Sequence, residues 1–233
     1  MAYEIVPLAA AHATAIAAIH AEGQPNTFLT SLGPAFLRAL YAEMASSEHC
    51  YGYVAMDGGE VVGVVTGTVD SGAVFKDLVW RHGFKLALPV LGALLRRPAL
   101  VGNVFETLFY PSQAEAAAKA GGQDEAEAEL FFIGTRADRR GEGIGRALFD
   151  ALVAASRRRG MSSMGLTVDD DNEIAQRFYR RLGMEPVYGL TLYGRPMHWY
   201  SLPMAASDIE ETPCSSEARD AASLDPMSEV PRE

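Results

Sequence analysis

The chain has 233 residues, 48% of them hydrophobic and 21% charged, the makeup of a folded domain large enough to bury a sizeable core. A formal charge of −10 excludes a chain-wide basic surface for nucleic acid, because phosphate backbones need a cationic footprint. Cys50 and Cys214 are the only cysteines, too few for a disulfide framework and too far apart for metal-ligand spacing.

The start, Met1-Ala2-Tyr3-Glu4, has neither the basic nor the apolar region of a secretory signal, so a cytoplasmic protein is expected. Tyr3 to Pro7 reads as a first strand. Ala9 to Glu22 reads as an Ala-rich helix stopped at Gly23. Ser31 to Ser47 predicts a second helix with Pro34 in its first turn. Phe36, Leu37, Leu40, Tyr41 and Met44 give that helix an apolar stripe. Tyr51 to Met56 and Glu60 to Val69 predict two strands, joined by a tight turn at Asp57-Gly58-Gly59.

Phe75 to Ala128 is less regular. Lys85 to Leu95 and Leu100 to Phe109 look helical, with Pro89, Pro98 and Pro111 breaking the pattern. Leu86 to Leu95, the most apolar stretch, is too short for the about 20 residues of a membrane span. Gln113 to Ala128 is expected to be a mobile, solvated loop. Glu129 to Thr135 then reads as a strand, and Ile144 to Arg159 as an amphipathic helix stopped at Gly160. Met164 to Val168 is a strand, Asn172 to Leu182 a helix. Val187 to Tyr193 and Met197 to Leu202 read as an antiparallel pair turned at Gly194. Residues 206–233 are expected to form a disordered acidic tail.

Between the strand ending at Thr135 and the helix starting at Ile144 lies Arg139-Arg140-Gly141-Glu142-Gly143-Ile144-Gly145-Arg146. Glycines let a backbone approach a ligand closely. The first N–H groups of a helix have no intrahelical partner and sit at the positive end of its dipole. With Arg140 and Arg146 as further donors, this arrangement suits a pyrophosphate. The loop lacks the Lys-Ser/Thr of a P-loop and the Gly-x-Gly-x-x-Gly of a dinucleotide site.

Arg140-x-x-Gly143-x-Gly145 resembles the coenzyme signature of the GNAT (GCN5-related N-acetyltransferase) superfamily, Arg/Gln-x-x-Gly-x-Gly/Ala. The second half agrees. Asn172, Phe178-Tyr179 and Gly183-Met184 resemble the family's Asn-x-x-Ala-x-x-Phe-Tyr-x-x-x-Gly-Phe pattern, with Met184 in place of Phe. The resemblance implies an α/β (α+β) GNAT fold over residues 1–205. Its central sheet is mixed, mostly antiparallel and twisted, with six to seven strands, helices on both faces and a helical insertion between the third and fourth strands. It also implies acetyl-CoA as acyl-donor cosubstrate, with no metal. Arg140, Gly141, Glu142, Gly143, Ile144, Gly145 and Arg146 would hold the pyrophosphate. The backbone of Ile133, Gly134 and Thr135, with Asn172, would hold the pantetheine arm. Asn172 also fits a helix N-cap.

Tyr179 is the candidate acid for the leaving thiolate; the alternative is core packing. Glu129 is the candidate base; the alternatives are a solvated strand-end carboxylate and deprotonation through ordered water. Ile133 N–H is a plausible oxyanion donor. His198, Trp199 and Asp70 border the acceptor side or serve structure. The expected function is N-acetylation of a primary amine by direct transfer in a ternary complex, the acceptor a small molecule such as an amino sugar. A protein or peptide N-acetyltransferase and a non-catalytic acyl-CoA-binding regulatory module are the alternatives. Two insertion helices would cover the acceptor, form a homodimer interface or lie on a membrane surface.

Overall fold

In the computed structural model, residues 3–80, 83–108 and 127–204 are described. After its first residue, β3 (Glu60–Thr68) is buried along its whole length, as only a central strand covered on both faces is. It lies between β2 (Cys50–Asp57) and β4 (Ala128–Thr135), antiparallel to both. With β1 (Glu4–Pro7), β5 (Ser163–Asp169), β6 (Glu185–Leu192) and β7 (Arg195–Pro203), they make a seven-stranded sheet in the order β1-β2-β3-β4-β5-β7-β6. Only β4 and β5 pair in parallel, so the expected mixed, mostly antiparallel sheet is present.

Among the described residues the α-helices are α1 (Ala13–Gly23), α2 (Phe28–Ser31), α3 (Pro34–Met44), α4 (Ser71–Trp80), α5 (Gly83–Arg96), α6 (Val101–Leu108), α7 (Ile144–Arg158) and α8 (Glu173–Arg181). On one face Ile16 and Ile19 of α1 and Tyr41 and Met44 of α3 pack on Val54, Val64 and Phe132. On the other, Leu148, Leu152 and Ala155 of α7 and Tyr179 of α8 pack on Ala55, Val65 and Leu130. Close approach of α7 depends on Gly63: a Cβ there would come within 2.8 Å of Ile144 and 2.9 Å of Leu148.

Several boundaries differ from expectation. The second long helix starts at Pro34, three residues late, because Gly33 at φ 95° ends one helical turn, α2, and starts another. A helix not foreseen, α4, opens directly after β3, where the Asp70 carboxylate accepts the Ala73 N–H at 2.7 Å. Pro89 does not break the insertion helix; α5 runs through it. Contacts of Leu86, Val90 and Ala93 with Leu37 and its neighbours offset the lost hydrogen bond, which costs about 3 kcal/mol in a helix interior. Ala128, expected in the solvated loop, opens β4; 113–126 and the tail 206–233 lie outside the described residues. Near the end of the chain's described part, Gly194 turns β6 into β7 as expected, and Tyr193, expected to end the strand, joins it in the turn at positive φ.

Candidate active site

β4 and β5 pair at two positions only, Ala128 with Met164 and Glu129 with Gly165. Beyond Glu129 the strands part, while β4 stays paired with β3 up to Thr135. The Arg136 N–H donates to the Val62 carbonyl at 3.0 Å. Alternate residues of an antiparallel strand face alternate neighbours, so Gly134 also turns its N–H toward β3. Ile133 and Thr135 turn theirs toward the wedge that β5 has left. Gly134 is needed on this strand, since a Cβ would meet the Phe132 ring at 2.7 Å and Ile19 at 3.1 Å.

The mouth of the wedge is the glycine loop. Gly141 and Gly143 have φ of 86° and 82°, and the space where their Cβ atoms would stand is open. Gly143 caps α7, whose first intrahelical bond runs from Ala147 N–H to Gly143 O at 3.1 Å. The N–H groups of Ile144, Gly145 and Arg146 therefore have no partner in the helix. The two flanking arginines differ from their neighbour Arg139. Arg139 is held by Asp57 and Glu142, each at 2.8 Å, and is committed to the scaffold. Glu142, expected among the coenzyme ligands, thus has its carboxylate on Arg139. Arg140 is exposed, and Arg146 makes only a 3.6 Å contact with Asp150. An anion with close backbone contacts fits this cradle.

The second motif meets the first through Phe178. Its ring lies 3.4 Å from where a Gly145 Cβ would stand, and it packs with Ile133 on the α7 core. The adjacent Tyr179 is 7% exposed and sits edge-on to Phe178. Burial pushes its phenol well above the ordinary value, keeping it protonated, and no described residue hydrogen-bonds the hydroxyl. Asn172 is the N-cap of α8, its Oδ1 accepting the Ala175 N–H at 3.1 Å; its amide nitrogen stays available.

Glu129 stands where β4 and β5 part and is 7% exposed, not the solvated carboxylate that the acidic run before it suggested. Ser71, in the first turn of α4, donates its hydroxyl to Glu129 Oε2. Sequence reading missed Ser71; the Asp70-Ser71 pair ahead of Ala73-Val74 is a helix-start signal that would have located α4. Of the acceptor-side candidates, Asp70 caps α4. His198 bonds Asp170 at 2.7 Å, and Trp199 stacks on Tyr188 with centroids 5.9 Å apart.

A family model described as acetyltransferase (GNAT) family matches residues 100–184. A mycothiol acetyltransferase of Thermobispora bispora is 41% identical over 66 residues, 28% of this chain but only 22% of that relative's length. The matched stretch therefore spans only about a fifth of that relative's length. Among solved structures, an N-acetyltransferase from Staphylococcus aureus Mu50 superposes with a TM-score of 0.56 at 17% identity, covering 88% of this chain and 99% of its own. Arabidopsis thaliana NAA60 in complex with acetyl-CoA gives 0.56 at 14%, covering 87% and 99%. At these identities the structures share the fold. The chain therefore has the fold of these N-acetyltransferases, and the segment that matches the GNAT family model spans both the glycine loop and the Phe178-Tyr179 helix.

Proposed function

We propose that the chain is an acetyl-CoA-dependent N-acetyltransferase that acetylates a primary amine of a small molecule, such as an amino sugar, by direct transfer within a ternary complex. The observation that carries this reading is the wedge: an open strand edge at Ile133 and Thr135 leads from the buried Glu129 to a glycine-lined helix start. One edge binds an extended, amide-bearing arm, and its end receives a pyrophosphate. The partial match to mycothiol acetyltransferases supports a small-molecule acceptor.

Acetyl-CoA supplies the acyl group as a thioester. Arg140, Arg146 and the N–H groups of Ile144 to Arg146 hold the phosphates, with Gly141 and Gly143 keeping the approach clear. Backbone groups of Ile133 and Thr135, and the free amide of Asn172, align the pantetheine arm. The Ile133 N–H donates to the oxygen on which negative charge develops. Glu129 takes the proton of the incoming amine, directly or through water. Tyr179, kept protonated by burial, donates to the departing thiolate.

The test is CoA release from acetyl-CoA with panels of amino sugars, amino acids and peptides with free N-termini. Fastest turnover on an amino sugar or related small amine is expected. A peptide as the best substrate would overturn the acceptor class. Tight acetyl-CoA binding with no turnover on any amine would make the chain a binding module instead.

A further inference from the structure

α5 is apolar on two opposite sides. At about 100° per residue, Leu86, Val90 and Ala93 point one way and pack against the core around Leu37. Phe84, Leu88, Leu91 and Leu95 point the other way and are 81%, 64%, 55% and 78% exposed. Val101, at the start of α6, is a further exposed apolar residue, at 41%. A contiguous stripe of large apolar side chains in water marks a surface that meets something.

Charge indicates what it meets. Between Lys76 and Arg97 the chain has five basic residues, Lys76, Arg81, Lys85, Arg96 and Arg97, and one acidic residue, Asp77, in a protein of net charge −10. Lys85 spends its ammonium on Glu43 at 2.7 Å. Arg96 and Arg97 are exposed at the end of the stripe and make no ion pair with a described residue. A second copy is a poor partner: laid against itself in either direction, α5 brings basic residues against basic ones. An anionic lipid surface matches both the stripe and the arginines. At 14 residues and 1.5 Å per residue, α5 is about 21 Å long, short of the about 30 Å of a hydrocarbon core, so it would lie along such a surface and not cross it.

We propose that α5 docks the protein on anionic lipid, with Phe84, Leu88, Leu91 and Leu95 entering the boundary below the headgroups and Arg96 and Arg97 on the phosphates. The inference stands apart from the catalytic reading, because none of these side chains belongs to the wedge.

Flotation of the full chain with vesicles of phosphatidylcholine alone, and with phosphatidylglycerol added, tests it. Binding is expected on the anionic vesicles, weakening with salt. Leu88→Glu/Leu91→Glu and, separately, Arg96→Glu/Arg97→Glu should each lower it by about tenfold or more. Unchanged circular dichroism and melting would show that the variants, all at exposed positions, remain folded. Three results would overturn the proposal: no binding of the full chain to anionic vesicles, undiminished binding of either variant, or a dimer in light scattering that Leu88→Glu/Leu91→Glu disperses.

Discussion

The Ser71 hydroxyl donates to Oε2 of Glu129, tying the first turn of the insertion to the residue at which β4 and β5 separate. The contact fixes one carboxylate oxygen and leaves the orientation of the other defined. If Glu129 takes the amine proton, Glu129→Gln lowers kcat by about 10²-fold or more with little change in acetyl-CoA affinity. Ser71→Ala gives a smaller fall in kcat at nearly constant KM for the amine. Steady-state kinetics beside calorimetric coenzyme titration check both; unaltered kcat in Glu129→Gln would leave deprotonation to water.

Tyr179 pairs a buried ring with a hydroxyl that no described residue uses. Tyr179→Phe keeps the packing against Phe178 and removes only the donor. A loss of about ten- to a thousandfold in kcat is expected, with acetyl-CoA affinity and melting temperature held within experimental scatter. Because burial raises the phenol, the wild-type rate should not fall on the alkaline side through titration of this group below its ordinary value near 10. A pH–rate profile of wild type beside Tyr179→Phe reads this directly.

Gly143 stands in the left-handed region with open space before it. Gly143→Ala leaves the cradle largely clear but carries a backbone cost of about 1–2 kcal/mol, visible as a lower urea midpoint. Gly143→Glu adds a carboxylate where the proposed pyrophosphate would sit, and calorimetry should show acetyl-CoA binding reduced far beyond that stability loss. Equal affinities for Gly143→Glu and Gly143→Ala would place the pyrophosphate elsewhere.

His20 is 2% exposed, stacked on Phe132 at 4.5 Å and bonded through Nδ1 to the Tyr41 hydroxyl at 2.6 Å. Burial lowers its pKa from 6.5 to about 4, so the unfolded chain takes up this proton first. Stability from the neutral ring is complete above pH 6.5 and is lost as pH falls toward 4, by about 3 kcal/mol in total. His20→Gln cannot titrate. The difference in unfolding free energy between wild type and His20→Gln, followed from pH 7 down to 4, should shift against the wild type by that order.

Much of this architecture was legible in the residues. The Gly58-Gly59 turn, the turn at Gly194, the α7 stripe and the Asn172 cap follow from local rules of φ, spacing and hydrogen bonding, and all stand near where those rules put them. What was not legible depends on distant partners. Pro89 survives inside α5 because Leu37 and its neighbours hold the helix from outside. Glu129 looked like the end of an acidic run, and only the fold of β5 and α4 over it makes it buried. Glu142 reads as part of a ligand loop, whereas Arg139, itself anchored by Asp57 at the end of β2, claims its carboxylate. His20 had no signal at all: an Ala-rich helix gives no hint that a ring lies against it.

The parting of β4 and β5 divides the sheet mechanically as well. Four strands lie on one side and three on the other, and the seam is stitched by two residue pairs. Such a seam is where a sheet flexes first and where amide protons exchange fastest. A ligand lodged in it becomes a stitch of its own, so occupancy should slow exchange in β5 and β7, strands that need not touch it.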